Sequence, residues 1–174
     1  MPLPFGDGWQ MVAQGTSGGA ATIGPIALDG NWDMLAIFYI VTGYGGGGDI
    51  AAFRFNNDSG ANYWDRHVSC VTAGVTLTNV QTASSTMIRV GAAATQQGRS
   101  GIMQISNPRA TAKIVSIFNQ TGSGAAATVP VVELVSGGEW INTTSQINRV
   151  TMLTAAGGAL NTGSGFAVFG CNIA

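Results

Sequence analysis

Charge is the property that this sequence has least of. Only 9% of its 174 residues are Asp, Glu, Lys or Arg, whereas an average soluble protein has roughly 25%. The positive charges are six arginines and a single lysine, Lys113. The surface must therefore be built mostly from neutral residues, and such a surface suits burial against other subunits, where lysine is depleted and arginine is enriched. The alternative is compositional drift without functional meaning.

The shortage of charge and of long apolar runs excludes several classes of partner. A net charge of -1 and a pI of about 5.6 provide no attraction to phosphate, so we do not expect nucleic acid as a partner. The longest apolar run, MLAIFYIV from Met34 to Val41, is much shorter than the roughly 20 residues of a membrane helix. It predicts a buried strand, and no membrane partner is expected. The first basic residue is Arg54, so a secretory signal is not expected either.

Cysteine is also rare, and helical periodicity is hard to find. Cys70 and Cys171 are far apart and lack the close spacing of a zinc or redox motif, which favours two buried free thiols over a disulfide. The 26 glycines are scattered with Ser, Thr and Asn between short apolar segments, a pattern typical of strands joined by turns. We therefore predict an all-β fold, either a sandwich or a barrel.

Ten short segments have the composition of β-strands. They begin at Trp9, Ala21, Met34, Asp49, Ser85, Gly101, Ala112, Thr128, Ile147 and Gly165. In several of them apolar and polar residues alternate, which is the period of a strand with one buried face. The residues that we expect to be mostly buried are Phe53, Phe55, Met103, Ile105, Val115, Ile117, Phe166 and Val168. The face opposite Met103 and Ile105 is only partly polar, so a second partner could cover it.

The first eight residues, MPLPFGDG, contain two prolines and two glycines and are therefore not expected to begin a regular element. We predict an extended N-terminal arm over residues 1–8 and a single β-sandwich domain over residues 9–174. Leu3 and Phe5 make the arm apolar, and it carries no charge before Asp7. We expect these two side chains to dock on a neighbouring subunit and to contribute little to the stability of their own chain.

Catalytic groups are scarce as well. The only histidine, His67, could share a strand face with Asp65, and Ser69 is close in sequence, but no strained turn presents a serine nucleophile. A pair of catalytic carboxylates could include Glu133 and Glu139, the only glutamates. The segment between them contains Ser-Gly-Gly and predicts a β-hairpin turn, which places both glutamates at the exposed rims of the hairpin. We expect no enzymatic activity, no metal and no cofactor.

One stretch, FRFNNDSGANYWDR from Phe53 to Arg66, concentrates Asn, Asp and Arg. Asn and Asp favour turns because they hydrogen-bond their own backbone, and Gly60 can adopt a positive φ. NNDSGAN therefore predicts a loop between two strands. Its clustered oxygen atoms could instead bind calcium, although the twelve-residue spacing that ends in glutamate is absent. We favour the loop interpretation.

The order of two motifs resembles a pattern in small structural proteins of tailed-bacteriophage virions. In those proteins a strand runs into an RFNGD-G-NY loop, and the last strand reads like GS-I-LYG. The matching residues here are Arg54, Phe55, Asn56, Asn57, Asp58, Gly60, Asn62 and Tyr63, followed by Gly163, Ser164, Phe166, Phe169 and Gly170. The sequence departs from the pattern at Asn57, where glycine is usual, and at Phe169, which replaces a tyrosine. The resemblance spans roughly Met34 to the C-terminus.

The resemblance implies a jelly-roll-like antiparallel β-sandwich and a non-enzymatic role in the virion. Such domains occur in head decoration or cement proteins and in fibre or spike modules. We expect a capsid decoration protein that stabilises the head shell, binds the major capsid protein and copies of itself as a homotrimer, and is assembled into the virion in the host cytoplasm. The alternative is a tail-fibre, spike or head-fibre module that binds host-surface carbohydrate.

The residues that we expect at assembly interfaces combine the arm, the first tryptophan and the polar loop. They are Leu3, Phe5, Trp9, Arg54, Asn56, Asp58, Tyr63 and Trp64. A carbohydrate-binding module would instead present aromatic platforms in exposed loops. The candidates for such platforms are the tryptophans, Trp9, Trp32, Trp64 and Trp140.

Overall fold

The computed structural model describes residues 8–29, 31–45, 49–70, 77–90, 98–109, 112–121, 133–142 and 146–173. All regular secondary structure in these residues is β-strand. The described residues form no helix that is long and apolar enough to cross a membrane. The fourteen strands in this part of the chain are β1 Gln10–Thr16, β2 Thr22–Ala27, β3 Met34–Val41, β4 Tyr44–Gly45, β5 Ala51–Phe55, β6 Tyr63–Cys70, β7 Leu77–Ser85, β8 Ile88–Arg89, β9 Arg99–Ser106, β10 Ala112–Thr121, β11 Glu133–Ile141, β12 Arg149–Thr154, β13 Ala159–Leu160 and β14 Gly165–Cys171.

The strands form two large antiparallel sheets. One has eight strands in the order β1-β14-β3-β9-β10-β11-β6-β7, and the other has four in the order β2-β12-β5-β8. A short ladder joins β13 to β4. Buried residues from both sheets belong to one hydrophobic cluster, as expected of a β-sandwich. The all-β antiparallel sandwich is therefore confirmed. Its jelly-roll connectivity stays a prediction, as does the N-terminal arm, because residues 1–7 lie outside the described residues.

Most of the predicted core residues are buried. Those without solvent exposure are Phe53, Phe55, Met103, Ile105, Val115 and Val168, and Phe166 is nearly as buried. The side chain of Ile117 lies outside the described residues. The opposite face of β9 is only partly polar, as expected, because Ile102 is exposed and Gln104 is half-buried. Alternation along single strands thus identifies the core-facing residues correctly.

Strand β3 coincides with the apolar run MLAIFYIV, but it is buried on one face only. Leu35, Ile37 and Tyr39 point into the core, whereas Phe38 and Ile40 are 46% and 50% exposed. The prediction of a strand is confirmed, and the prediction that this strand is buried is wrong for its second face. The four-stranded sheet covers the inner side of β3, and within the described residues no element covers the outer side.

Aromatic side chains fill one end of the core. The ring of Tyr63 stacks on that of Trp140 with 6.0 Å between the ring centroids, and the ring of Phe55 lies 5.6 Å from that of Trp140. All three residues are fully buried. Beside them, the Nζ of Lys113 lies 4.5 Å from the centroid of the Trp140 ring. This cluster packs β5, β6, β10 and β11 together and so supports the loop that follows β5.

Strand β11 corrects the predicted hairpin. Glu133 and Glu139 lie on one continuous strand, which has a register shift just before Gly137. The glycines accommodate this irregularity and are not in a turn, because Gly137 has a φ of 147° and a Cβ on Gly138 would lie 2.5 Å from a main-chain oxygen of β6. Glycine serves a close approach between strands here. A Ser-Gly-Gly sequence does not distinguish that use from a turn.

Four strands, β4, β6, β7 and β13, are missing from the ten predicted segments, and of these β4 and β13 have only two residues each. Strand β7 reads LTNVQTASS and lies at the edge of the eight-stranded sheet. It is mostly polar, so it gives no alternation of apolar and polar residues. The segment predicted from Ser85 is correspondingly short, since only β8, with two residues, follows the end of β7.

Candidate functional site

The loop NNDSGAN joins β5 to β6, as predicted, and is organised around Asp58. Its Oδ1 accepts a hydrogen bond from the main-chain N–H of Gly60 at 2.9 Å. Its Oδ2 accepts the indole N–H of Trp140 at 2.7 Å and the side-chain amide of Asn62 at 3.0 Å. Asn142 donates a longer bond to the same oxygen at 3.4 Å. The carboxylate therefore connects its own loop to the end of β11.

The same donors set the ionisation of Asp58. Burial acts to raise the pKa of this carboxyl, but the hydrogen bonds from Trp140 and from the other donors outweigh burial and hold the pKa below its ordinary value. Asp58 is therefore ionised at neutral pH. In the part of the chain that the structure describes, no three residues among His, Cys, Asp and Glu come together as metal ligands, so the loop has no cluster of carboxylates around Asp58.

Two asparagines shape the start of the loop. Asn56 and Asn57 have φ values of 52° and 57°, in the left-handed region that glycine and asparagine tolerate best. The Oδ1 of Asn56 accepts the main-chain N–H groups of Asn148 and Arg149 at 2.9 and 3.1 Å. Its Nδ2 donates to the main-chain oxygen of Gln146 at 2.7 Å. Asn56 thus ties the loop to β12, whereas Asn57 is exposed, and its conformation suits the glycine of the virion pattern equally well.

Tyr63 and Arg54 are also used inside the chain. Tyr63 is fully buried. Its hydroxyl accepts the main-chain N–H of Phe55 at 2.9 Å and lies 3.2 Å from the main-chain oxygen of the same residue, to which it donates. Burial raises the pKa of Tyr63 well above its ordinary value. The half-buried Arg54 donates from Nε to the main-chain oxygen of Thr86 at 3.2 Å.

The loop is therefore a structural junction, and the predicted interface is corrected at Tyr63, whereas an interface role for Arg54, Asn56 and Asp58 stays a prediction. A partner cannot reach the side chain of Tyr63 in the folded chain, because it has no exposed surface. Asn56 and Asp58 direct their polar atoms to residues of their own chain. These residue types are typical of binding loops and of turns alike, and two of their partners, Gln146 and Trp140, lie far away in the sequence.

The second motif is structural as well. Ser164 is fully buried, and its Oγ accepts the main-chain N–H of Thr42 at 3.1 Å, which joins the end of β3 to the start of β14. Gly163 has a φ of 89°. A Cβ on Gly170 would overlap the ring of Trp32. Both motifs thus hold strand ends in place, and Gly170 allows close packing against Trp32.

Among the residues considered for catalysis, the side chains that the structure describes form no triad. The carboxylate of Asp65 is buried and forms an ion pair with the Nε of Arg89 at 3.0 Å. Burial raises the pKa of Asp65 and outweighs the opposing effect of Arg89. The side chains of His67 and Glu133 lie outside the described residues. Asp65 therefore has a structural partner within the sandwich.

A groove on the outer face of the eight-stranded sheet is almost entirely apolar. This outer groove has a volume of about 690 Å³ and is lined by Trp9, Ala36, Phe38, Ile102, Gln104 and Phe169. Antiparallel pairing brings the residues together, since Phe38 lies opposite Ile102 and Ala36 lies opposite Phe169. The rings of Phe38 and Phe169 meet edge-on with 5.4 Å between their centroids.

The outer groove is exposed and uncharged. Trp9 and Ile102 are 48% and 38% exposed, and the neighbouring Met11 and Ile40 are exposed as well. Among the described residues, no charged side chain lines the groove. Single exposed apolar residues are normal, but a contiguous apolar patch marks an interaction site. Of the predicted interface residues that the structure describes, only Trp9 belongs to this groove, because a continuous apolar run hides which residues of β3 face outward.

A second and more polar depression lies where β6 meets β7 and β11. This Trp64 groove has a volume of about 400 Å³ and is lined by Trp64, Asp65, Arg66, Gln81, Thr82, Gly137, Gly138 and Glu139. Trp64 is 41% exposed, and Arg66 donates a hydrogen bond to Gln81 at 3.1 Å. An exposed indole ring beside polar groups can stack on an apolar ring face and hydrogen-bond its substituents.

Comparison of the chain with protein-family models, with curated proteins and with solved structures gives no match. The resemblance to virion proteins therefore rests on the motif residues alone. Leu3 and Phe5, which were predicted to dock on a neighbour, lie outside the described residues. The outer groove and the Trp64 groove are both open to a binding partner.

Proposed function

We propose that this chain is a non-enzymatic structural protein of a bacteriophage virion, a capsid decoration protein whose outer groove is covered on assembly. The observation that carries the proposal is the outer groove, a contiguous and uncharged apolar surface on the open face of a sheet. Its partners are the major capsid protein and copies of the same chain in a homotrimer. The motif resemblance supplies the virion context.

The chemistry of the groove fits attachment to a preformed shell. Phe38, Ile102 and Trp9 are partly exposed, so each contributes on the order of 1 kcal/mol when a partner removes the remaining apolar surface from water. Three symmetry-related copies of such a modest surface bind tightly through avidity. Because none of the described lining residues is charged, binding to the shell should depend little on salt concentration.

The test is binding to undecorated capsids. The double variant Phe38→Asp, Ile102→Asp places two charges in the groove, and we expect it to lose capsid binding by at least about 100-fold, because an unpaired charge is costly to bury. Ile173→Asp is the matched control, since Ile173 is 67% exposed and lies outside the groove. Equal binding by the double variant and the control would refute the role of the groove.

Sedimentation of the isolated protein tests the trimer separately. A wild-type trimer is expected, and a wild-type monomer contradicts this part of the proposal. If the double variant is monomeric, the outer groove is the subunit interface. If it remains trimeric but does not bind capsids, the groove faces the shell. Electron microscopy of the particle then locates the chain, with density on the head shell expected and density at the tail tip opposing the proposal.

The Trp64 groove favours a second candidate function, binding of host-surface carbohydrate by a fibre or spike module. The observation behind it is the exposed Trp64 ring beside Arg66, Gln81 and Glu139. This function predicts that the isolated protein binds glycans on an array and that Trp64→Ala abolishes the signal. The double variant in the outer groove should leave that signal unchanged. Absence of glycan binding by the wild-type protein eliminates the second candidate.

A further inference from the structure

Lys113 is the only lysine of the chain, and its side chain is fully buried. It lies on β10 opposite Trp140 of β11. Its Nζ donates a hydrogen bond to the main-chain oxygen of Asn142 at 2.8 Å and lies over the Trp140 ring. None of the ion pairs between described residues includes this amine. A buried amine that belongs to none of these ion pairs needs an explanation, because burial of a charge is unfavourable.

A lysine differs from the six arginines in one relevant property. Burial lowers the pKa of Lys113, because the ammonium loses its hydration in the core. A neutral amine is a nucleophile, whereas a guanidinium remains protonated in proteins. Lys113 therefore lies at a position where burial makes the neutral amine more accessible than it is in water.

Asn142 contacts both the amine of Lys113 and the carboxylate of Asp58. Asn142 follows β11 two positions after Trp140, and alternation along a strand directs such residues to the same side. Its Nδ2 donates to the Oδ2 of Asp58 at 3.4 Å, and Asp58 is held by the indole N–H of Trp140 at 2.7 Å. Its main-chain oxygen contacts the Nζ of Lys113. An amine, an amide and a carboxylate thus converge beside one aromatic ring.

From this convergence we propose that Lys113 and Asn142 become joined by an intramolecular isopeptide bond and that Asp58 transfers the proton. The Nζ of the neutral amine attacks the Cγ of Asn142, so that a C–N bond forms and the bond between Cγ and Nδ2 breaks. The proton that leaves Nζ passes to the Asp58 carboxylate and then to Nδ2, which departs as ammonia. Atoms and charge balance without an oxidant, a reductant or a co-reactant.

The surroundings favour this reaction. The buried rings of Phe55, Tyr63 and Trp140 keep water away from the amine, which limits competing hydrolysis. Because the fold holds amine and amide together, the step is unimolecular. The proposed attack requires a rotation about the last bonds of the lysine side chain that carries Nζ from the main-chain oxygen of Asn142 to Cγ of the same residue. The product joins β10 to β11, whether or not the chain is a virion protein.

Intact-mass spectrometry of the purified full chain tests the proposal. We expect the folded protein to be lighter than its sequence mass by about 17 Da, the mass of one ammonia lost in forming the covalent link. Tandem mass spectrometry of a digest should then find the peptides of Lys113 and Asn142 joined. A wild-type protein that keeps its full sequence mass after prolonged incubation overturns the proposal.

Three variants identify the source of the mass loss. Lys113→Arg keeps the positive charge but has no reactive amine, so it should retain full mass. A loss that persists in this variant arises elsewhere, for example from a succinimide, and refutes the proposal. Asn142→Asp should lose about 18 Da, because water leaves in place of ammonia.

Asp58→Asn tests the proton transfer. This variant preserves the shape of the side chain and should form the bond at least about tenfold more slowly. Formation at the wild-type rate shows that Asp58 does not transfer the proton. Circular dichroism confirms that each variant is folded.

Discussion

The loop NNDSGAN and the outer groove use polarity in opposite ways. The loop is rich in Asn and Asp, yet Asn56 and Asp58 direct their polar atoms into the chain, where they meet Trp140 and the start of β12. The outer groove is apolar, yet Phe38 and Ile102 remain exposed to solvent. In these two regions, therefore, polar side chains make internal connections and apolar side chains form the surface that is left open.

The same contrast extends to the other carboxylates. Asp49 is almost fully buried and accepts main-chain N–H groups from Ile50, Ala156 and Gly158. Burial acts to raise the pKa of Asp49, but these hydrogen bonds outweigh it, so the pKa lies below its ordinary value. Asp49 thus links two loops as Asp58 does. In a chain with so little charge, these carboxylates stabilise loops and do not contribute to the outer groove.

The largest expected effect distinguishes the two faces of β3. Ile37 is fully buried, and its neighbour Phe38 is exposed on the other side of the strand. Ile37→Ala should lower the free energy of unfolding by about 3 kcal/mol, because it leaves a cavity in the core. Phe38→Ala should lower it by about 1 kcal/mol or less. Urea denaturation monitored by tryptophan fluorescence measures both values, and a loss of comparable size for Phe38→Ala would show that the outer face is part of the core.

Strand β3 also shows how far the sequence predicts the fold. The run MLAIFYIV predicts the strand with its correct ends, since eight apolar residues between polar ones suit a strand and not a membrane helix. It does not predict which face of the strand is exposed, because the residues on both faces are apolar. In β5 and β9 alternation is visible, and Phe53, Phe55, Met103 and Ile105 are correctly assigned to the core.

A second prediction concerns the loop. Asp58→Ala removes the acceptor of the Trp140 indole, whose ring is fully buried, and it also removes the bonds from Gly60 and Asn62. We expect the free energy of unfolding to fall by about 2 kcal/mol, because a donor in the interior loses its partner. The measurement should be made in a Lys113→Arg background, so that no covalent link contributes. Asp29→Ala, at an exposed position, should change stability by less than about 0.5 kcal/mol, and an equal loss in both variants would contradict the role of Asp58.

The role of Asp58 also predicts a pH dependence. The pKa of this carboxyl is lower in the folded chain than its ordinary value of 3.8, so its ionised form stabilises the fold above about pH 4, and the stabilisation is lost as the pH falls through the folded pKa. Asp65, whose pKa is raised by burial, has the opposite effect. Denaturation between about pH 7 and pH 3 should therefore show a weaker dependence in Asp58→Asn than in the wild type, and an unchanged profile would count against the hydrogen-bonded carboxylate.

The candidate site shows why its long-range contacts could not be predicted from the sequence. Trp140, which donates to Asp58, lies 82 residues away, and Asn148, which donates to Asn56, lies 92 residues away. A local pattern contains no information about such pairs. The Ser-Gly-Gly of β11 suggests a turn because glycine serves turns and close strand contacts equally. Position 113 is predicted to lie in a strand, but that its lysine is buried beside Trp140 follows only from the packing of β10 on β11.

The smallest expected effect separates the two asparagines at the start of the loop. Both have a left-handed backbone, so glycine relieves a similar strain at either position. Asn57 is exposed, and Asn57→Gly should change the free energy of unfolding by no more than about 0.5 kcal/mol, because the relief is offset by the greater flexibility of glycine in the unfolded chain. Asn56→Gly should cost about 1 to 2 kcal/mol more, since it removes the bonds to Gln146 and to the start of β12. Denaturation of the two variants side by side measures this difference. Equal values would mean that the backbone conformation of the loop, and not the side chain of Asn56, holds the loop against β12.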